Sequence, residues 1–182
     1  MLKTKSESLL LTAVLLTGSC ICLGLMCLYF CTGVYGFDLF AWYFTQPLVL
    51  VLNILPLLAL ALVLLALTNR AWLTFLLEAV VCLILSWAQH WKLLARGDPI
   101  YAEDLFLIGE ATQMADSYIR ITWQVVLSAL IVLALTLMLF FLARGRIRKW
   151  LPRLALAILV PILSVAVFTN YYDRNLSYYA MT

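Results

Sequence analysis

Charge is what this sequence has least of. Only 12% of its 182 residues are Asp, Glu, Lys or Arg, about half the share of an ordinary soluble domain. There is one histidine, His90, and the five cysteines form no C-x-x-C pair, so zinc-type ligand spacing is absent. Absent too are a Walker loop, a G-x-S-x-G elbow and paired acids of the glycosidase kind. No nucleophile has a plausible base. No catalytic, cofactor-binding or metal site is therefore expected in the chain, and no nucleic-acid partner. In place of charge stands a hydrophobic share of 66%, more than a single core of this size can hide. That excludes a soluble enzyme, a disulfide-stapled secreted domain and a disordered tail. The solvent is lipid.

Five apolar runs are long enough to cross a bilayer as helices: Leu9 to Phe30, Leu48 to Thr68, Ala71 to Gln89, Trp123 to Ala143 and Trp150 to Thr169. Their apolar residues are continuous rather than alternating, which favours helices over a barrel. The expected fold is an all-α membrane bundle of five spans forming a single transmembrane domain. The first run resembles a signal peptide only in its basic start, Lys3 and Lys5. It continues ten residues past Cys20, too long for a signal core.

Lys and Arg set the orientation. With the N-terminus in the cytoplasm, eight of the twelve bases fall inside and most loop acids outside. The densest group, Arg144, Arg146, Arg148 and Lys149, with Arg153 just beyond, lies in one short inner loop and is expected to meet anionic lipid headgroups. The C-terminus then emerges on the outer side.

Glu78 is the only acid in the middle of a span. A carboxylate there is expected to be protonated, paired or turned to a wet cavity. As a candidate intramembrane polar site it suits a proton- or cation-coupled carrier. Equally, it lies eight residues after Arg70 and has a route towards that base or water. The cysteines are expected to act as small apolar residues. His90 is expected at the outer interface, solvated. Pro56 and Pro161 are expected to kink their helices, with Asn53 near the first kink.

The loop after the third span is the most informative stretch. Asp98 followed by Pro99 is a helix-start signal. Beyond it Leu105, Ile108, Thr112, Ala115 and Ile119 recur on one face, with Glu103, Glu110, Gln113 and Ser117 on another. An amphipathic helix on the outer leaflet is expected there. Arg96, Asp98, Glu103, Asp104 and Glu110 are its candidate docking or headgroup contacts; a solvated connector is the plainer alternative.

The run Trp87-Ala-Gln-His-Trp-Lys-Leu-Leu-Ala-Arg-Gly-Asp-Pro99, then Ala102-Glu-Asp-Leu105 and Ile108-Gly-Glu-Ala111, resembles the third-span exit and outer loop of the lipoteichoic acid synthase family. The motif is R-G-x-P, D-L and E-A, and it covers about 25 residues. His90 stands where many relatives would carry asparagine. The resemblance implies a five-span domain of a bacterial cell membrane, cytoplasmic at its N-terminus and extracellular at its C-terminus. It also implies a following sulfatase-like domain in which a threonine and a manganese ion transfer glycerol phosphate from phosphatidylglycerol to a polymer. None of those catalytic residues has a counterpart in this chain. The expectation is a membrane anchor and platform, cut short of its catalytic domain. The rival is a small carrier or substrate-binding subunit of a transporter, using Glu78 with Pro56 and Pro161 around a cavity. A purely structural subunit is the third reading.

Overall fold

The computed structural model describes residues 5–101, 122–143, 150–167 and 169. All of its regular elements among the described residues are helical: α1 Lys5–Thr32, a 3-10 turn Gly33–Tyr35, α2 Phe37–Thr45, α3 Pro47–Thr68, α4 Ala71–Arg96, α5 Trp123–Leu142 and α6 Trp150–Val167. Four stretches are long and apolar enough to cross a membrane, on α1, α3, α4 and α5. In α6 the apolar segment is the shorter Ala157–Ala166.

Each boundary has a local cause. Pro47 opens α3 in its first turn, where the missing N–H costs nothing. Asn69 closes it in the left-handed region (φ 54°), its N–H bonded to the Leu65 carbonyl at 2.8 Å. Asn tolerates that conformation better than other residues with a side chain. Thr68 then bridges the tight turn: its hydroxyl pairs with Thr74 at 2.8 Å and bonds the Leu64 carbonyl at 2.8 Å. α3 runs unbroken past Pro56, and Asn53 turns its amide back onto the Val49 carbonyl at 2.8 Å.

α1 and α4 form the centre of the bundle. They make the most extensive helix pair, α3 and α5 each pack against both, and α6 lies along α3. The shared core joins Leu16, Cys20 and Leu23 to Phe75, Ala79 and Leu83, with Ala61, Val132 and Leu139 closing it from the sides. Gly24 lets α3 approach α1: a Cβ there would lie 3.2 Å from Ile54 Cγ1. Away from this core, Leu60 and Leu62 of α3, Leu133 and Phe140 of α5 and Ile162 and Leu163 of α6 are exposed. So broad an apolar exterior is tolerable only against hydrocarbon. The protein is a helical membrane protein.

Two boundaries differ from expectation. The segment between the first two expected spans, where no helix is expected, contains α2, nine residues carrying Phe37, Phe40, Trp42, Tyr43 and Phe44. At about 1.5 Å per residue α2 is too short to cross, and its aromatic make-up suits an interface. The third span does not stop at Gln89. It continues as helix to Arg96, because nothing before Gly97 (φ 76°) breaks it.

Candidate functional site

Buried polarity converges on the seam between α1 and α4. The residues α4 buries include Thr74, Phe75, Glu78, Ala79, Leu83 and Ser86, a three-four spacing that keeps one stripe turned inward. Glu78 is fully buried, at 0% exposure. Cys20 Sγ donates to its Oε2 at 3.3 Å, and Oε1 has no partner among the described residues. The carboxyl therefore turns to α1. The expected reach towards Arg70 is corrected: Arg70 is exposed at the turn, while Glu78 packs into the core beside Phe75 and Ala79, where a thiol is the donor it meets. Cys20 in turn is more than an apolar filler.

Farther along, Cys27 of α1 and Cys82 of α4 pack against the shared core, and Ser86 is buried on the same face of α4. At the end of the seam His90 Nδ1 sits 2.9 Å from the Phe30 carbonyl. That carbonyl belongs to the last turn of α1, where helix acceptors lack partners in their own helix. Since a carbonyl only accepts, Nδ1 carries the proton and caps α1. His90 is half-buried, its ring edge-on to Phe30 at 5.9 Å. The solvated histidine expected from sequence is thus a helix cap.

These pairings have a nearly constant offset, 58 residues for Cys20–Glu78 and 60 for Phe30–His90. A constant offset means that α1 and α4 run in the same direction. α3 must return between them, which is consistent with α2 not crossing.

The second cluster sits where α4 ends. Gly97 reverses the chain, and residues 98–101 fold back without forming a helix. Gln89 Oε1 accepts the Ile100 N–H at 2.7 Å. Lys92 Nζ donates to the Pro99 carbonyl at 2.7 Å, pairs with Asp98 Oδ2 at 3.2 Å and lies 5.1 Å from the centre of the Tyr101 ring. Asp98, expected to start a helix, instead directs a carboxylate oxygen to Lys92, and Pro99 to Tyr101 are non-helical. Arg96 is exposed beside this corner. Glu103, Asp104 and Glu110, the expected loop helix, and Arg144, Arg146, Arg148 and Lys149 lie outside the described residues.

The sequence reading missed the pairing of Lys92 and Gln89 with the chain after Gly97. Both lie within one or two helical turns of that glycine, and this spacing was the available signal. Among the described residues no three His, Cys, Asp or Glu side chains are grouped to hold a metal ion. The manganese implied by the resemblance has no ligand set there. Comparison with family models, with curated proteins and with solved structures gives no match.

Proposed function

We propose that this chain is the membrane anchor and outer-face platform of a sulfatase-like phosphoglycerol transferase of the lipoteichoic acid synthase kind, acting in cell-envelope polymer synthesis in a bacterial membrane. The supporting observation is the corner at the end of α4. Gln89, Lys92, Asp98 and Pro99 lie within the stretch that carries the resemblance; Lys92 fastens Asp98 and Pro99, and Gln89 fastens the adjoining Ile100. A corner tied by two hydrogen bonds and an ion pair holds the backbone from Gly97 to Tyr101 against the end of α4, as a platform for a second domain requires.

In this reading α6 is the fifth span, the N-terminus is cytoplasmic and the arginine-rich stretch 144–149 faces inward against anionic lipid. The loop bearing Glu103, Asp104 and Glu110 meets the extracellular domain or the lipid headgroup. Manganese belongs to that further domain. The carrier reading needs an open cavity at Glu78, and the complete burial of that side chain counts against it.

Replacing Arg96, Asp98 and Asp104 by alanine in the protein together with its downstream reading frame tests the proposal. Loss of polymer synthesis and of domain docking, with membrane insertion intact, is expected. A reading frame that encodes no metal-binding sulfatase-like domain overturns it.

A further inference from the structure

α2 is too short to cross the bilayer, yet it leaves aromatic rings uncovered: Phe37 is 68% and Phe44 52% exposed. Both its ends are bends. Gly36 (φ 100°) breaks the chain from α1 and the 3-10 turn, and Gln46 stops the helix just after the Thr45 hydroxyl bonds the Trp42 carbonyl at 2.7 Å. A rotation of about 100° per residue sorts the side chains between these bends into three faces. Phe40 and Tyr43 are half-buried and turn to the bundle, Asp38 and Thr45 are exposed on the opposite side, and Phe37 and Phe44 share one edge between them. Phe40 seats the inner face: its ring meets Tyr29 of α1 at 5.7 Å, Phe37 at 5.8 Å and Phe44 at 5.3 Å. Tyr29 stands 5.8 Å from Phe30, and Phe30 reaches Trp87 and His90 of α4 at 6.3 and 5.9 Å. An unbroken run of ring contacts thus ties α2 to the central helix pair and holds the Phe37–Phe44 edge outward. A Cβ on Gly33 would lie 3.9 Å from His90 Cε1, which puts the turn into α2 at the His90 end of the bundle.

Two features say what covers that edge. Past the bend at Gln46 it runs on into Leu48 and Val51, which are exposed on α3, a helix long and apolar enough to stand in hydrocarbon. It is also flanked by the Asp38 carboxylate, so acyl chains and water must both lie within the reach of one short helix, a condition met at the headgroup level of a bilayer. We propose that α2 is a lipid-docking helix: it lies along the membrane interface at the His90 end, with Phe37 and Phe44 embedded where headgroups meet acyl chains and Asp38 and Thr45 turned to headgroup water. Its partner is the lipid surface rather than a further protein. Because Phe40 ties α2 to α1, this contact fixes the depth at which the whole bundle sits. The inference rests on the membrane character of the bundle and not on the platform reading, and either can fail alone.

Fluorescence of the full chain in phosphatidylcholine vesicles, with acyl chains brominated either near the headgroup or near the chain end, tests it. In a Trp42→Phe background, Phe44→Trp is expected to add emission that the shallow bromines quench several-fold more than the deep ones and that aqueous acrylamide barely touches. Asp38→Trp in the same background is expected to add emission with the opposite preference, quenched several-fold more by acrylamide than by either lipid. Should both variants fail to insert, the emission lost on Trp42→Phe gives the native reading, and shallow bromines are expected to quench it more than deep ones. Equal lipid quenching at positions 38 and 44 overturns the proposal. So does emission from position 44 sheltered from lipid and acrylamide alike, the mark of a second copy or another protein on that edge. Deep bromines quenching position 44 or Trp42 as strongly as shallow ones overturn it too, because α2 then lies within the hydrocarbon.

Discussion

α3 and α4 are joined by two residues yet follow opposite designs. α3 is apolar from Pro47 to Thr68 except for Asn53 and the terminal threonine, and Asn53 satisfies itself within its own helix. α4 carries Glu78 and His90 into contact with α1 and buries Ser86. In its most apolar stretch α4 is 39% buried against 17% for α3. The apolar helix is free to present leucines to lipid on most sides. The polar one must be surrounded, because lipid offers its groups no partner. Hydrophobicity thus determines that a segment enters the membrane, and the polar stripe determines which helix occupies the middle.

The sharpest test of this contrast sets Phe75→Ala on α4 against Leu62→Ala on α3. Phe75 is fully buried and Leu62 is 40% exposed. Unfolding in mixed micelles is expected to show a loss of about 3–5 kcal/mol for the first and under about 0.5 kcal/mol for the second. Equal losses would erase the distinction between a central and a peripheral helix.

Next in size is the approach of α3 to α1. Gly24→Leu is expected to cost about 1–3 kcal/mol in the same assay, because Ile54 occupies the space. Gly18→Leu, with nothing within 4 Å of its added Cβ, is expected to be close to neutral apart from any gain in helix propensity. A reversed order would place α3 on another side of α1.

His90→Ala removes the cap on α1 and is expected to cost about 1 kcal/mol, with faster amide exchange confined to the last turn of α1 and residues 33–35. Exchange that quickens in α3 instead would contradict the pairing with Phe30. The smallest effect is expected from Lys92→Met at the α4 corner. Global stability should fall by about 0.5–1 kcal/mol at most for a partly exposed pair, while the Ile100 amide exchanges faster. An unchanged Ile100 would show that Gln89 and Gly97 hold the corner alone.

The membrane character and the cores of α1, α3, α4 and α5 were legible because about 20 consecutive apolar residues carry their own signal. The end of α4 was half-legible. His90, Trp91 and Lys92 read as an interface, yet helix continues through good helix formers, Leu93 to Arg96, until Gly97 supplies a positive φ. α2 escaped notice because nine residues fall below any span length and its aromatics suit loop, strand and interface alike. The partners of Glu78 and His90 were illegible in principle. They lie 58 and 60 residues away on another helix, where the spacing of Cys20, Cys27 and Cys31 marks one face without saying which helix it meets. The nearby Arg70 was the natural guess, and packing depth rather than distance along the chain decided against it.

The spacing between α1 and its match also sets a clock for biogenesis. Cys20 leaves the ribosome 58 residues ahead of Glu78, an interval of about 3–12 s at ordinary elongation rates. Throughout it the newborn first helix has no mate for its thiol side, and α3 arrives before relief does. Whatever holds α1 during that wait, whether the insertion machinery or a transient embrace by α3, becomes an obligatory stage in making the molecule.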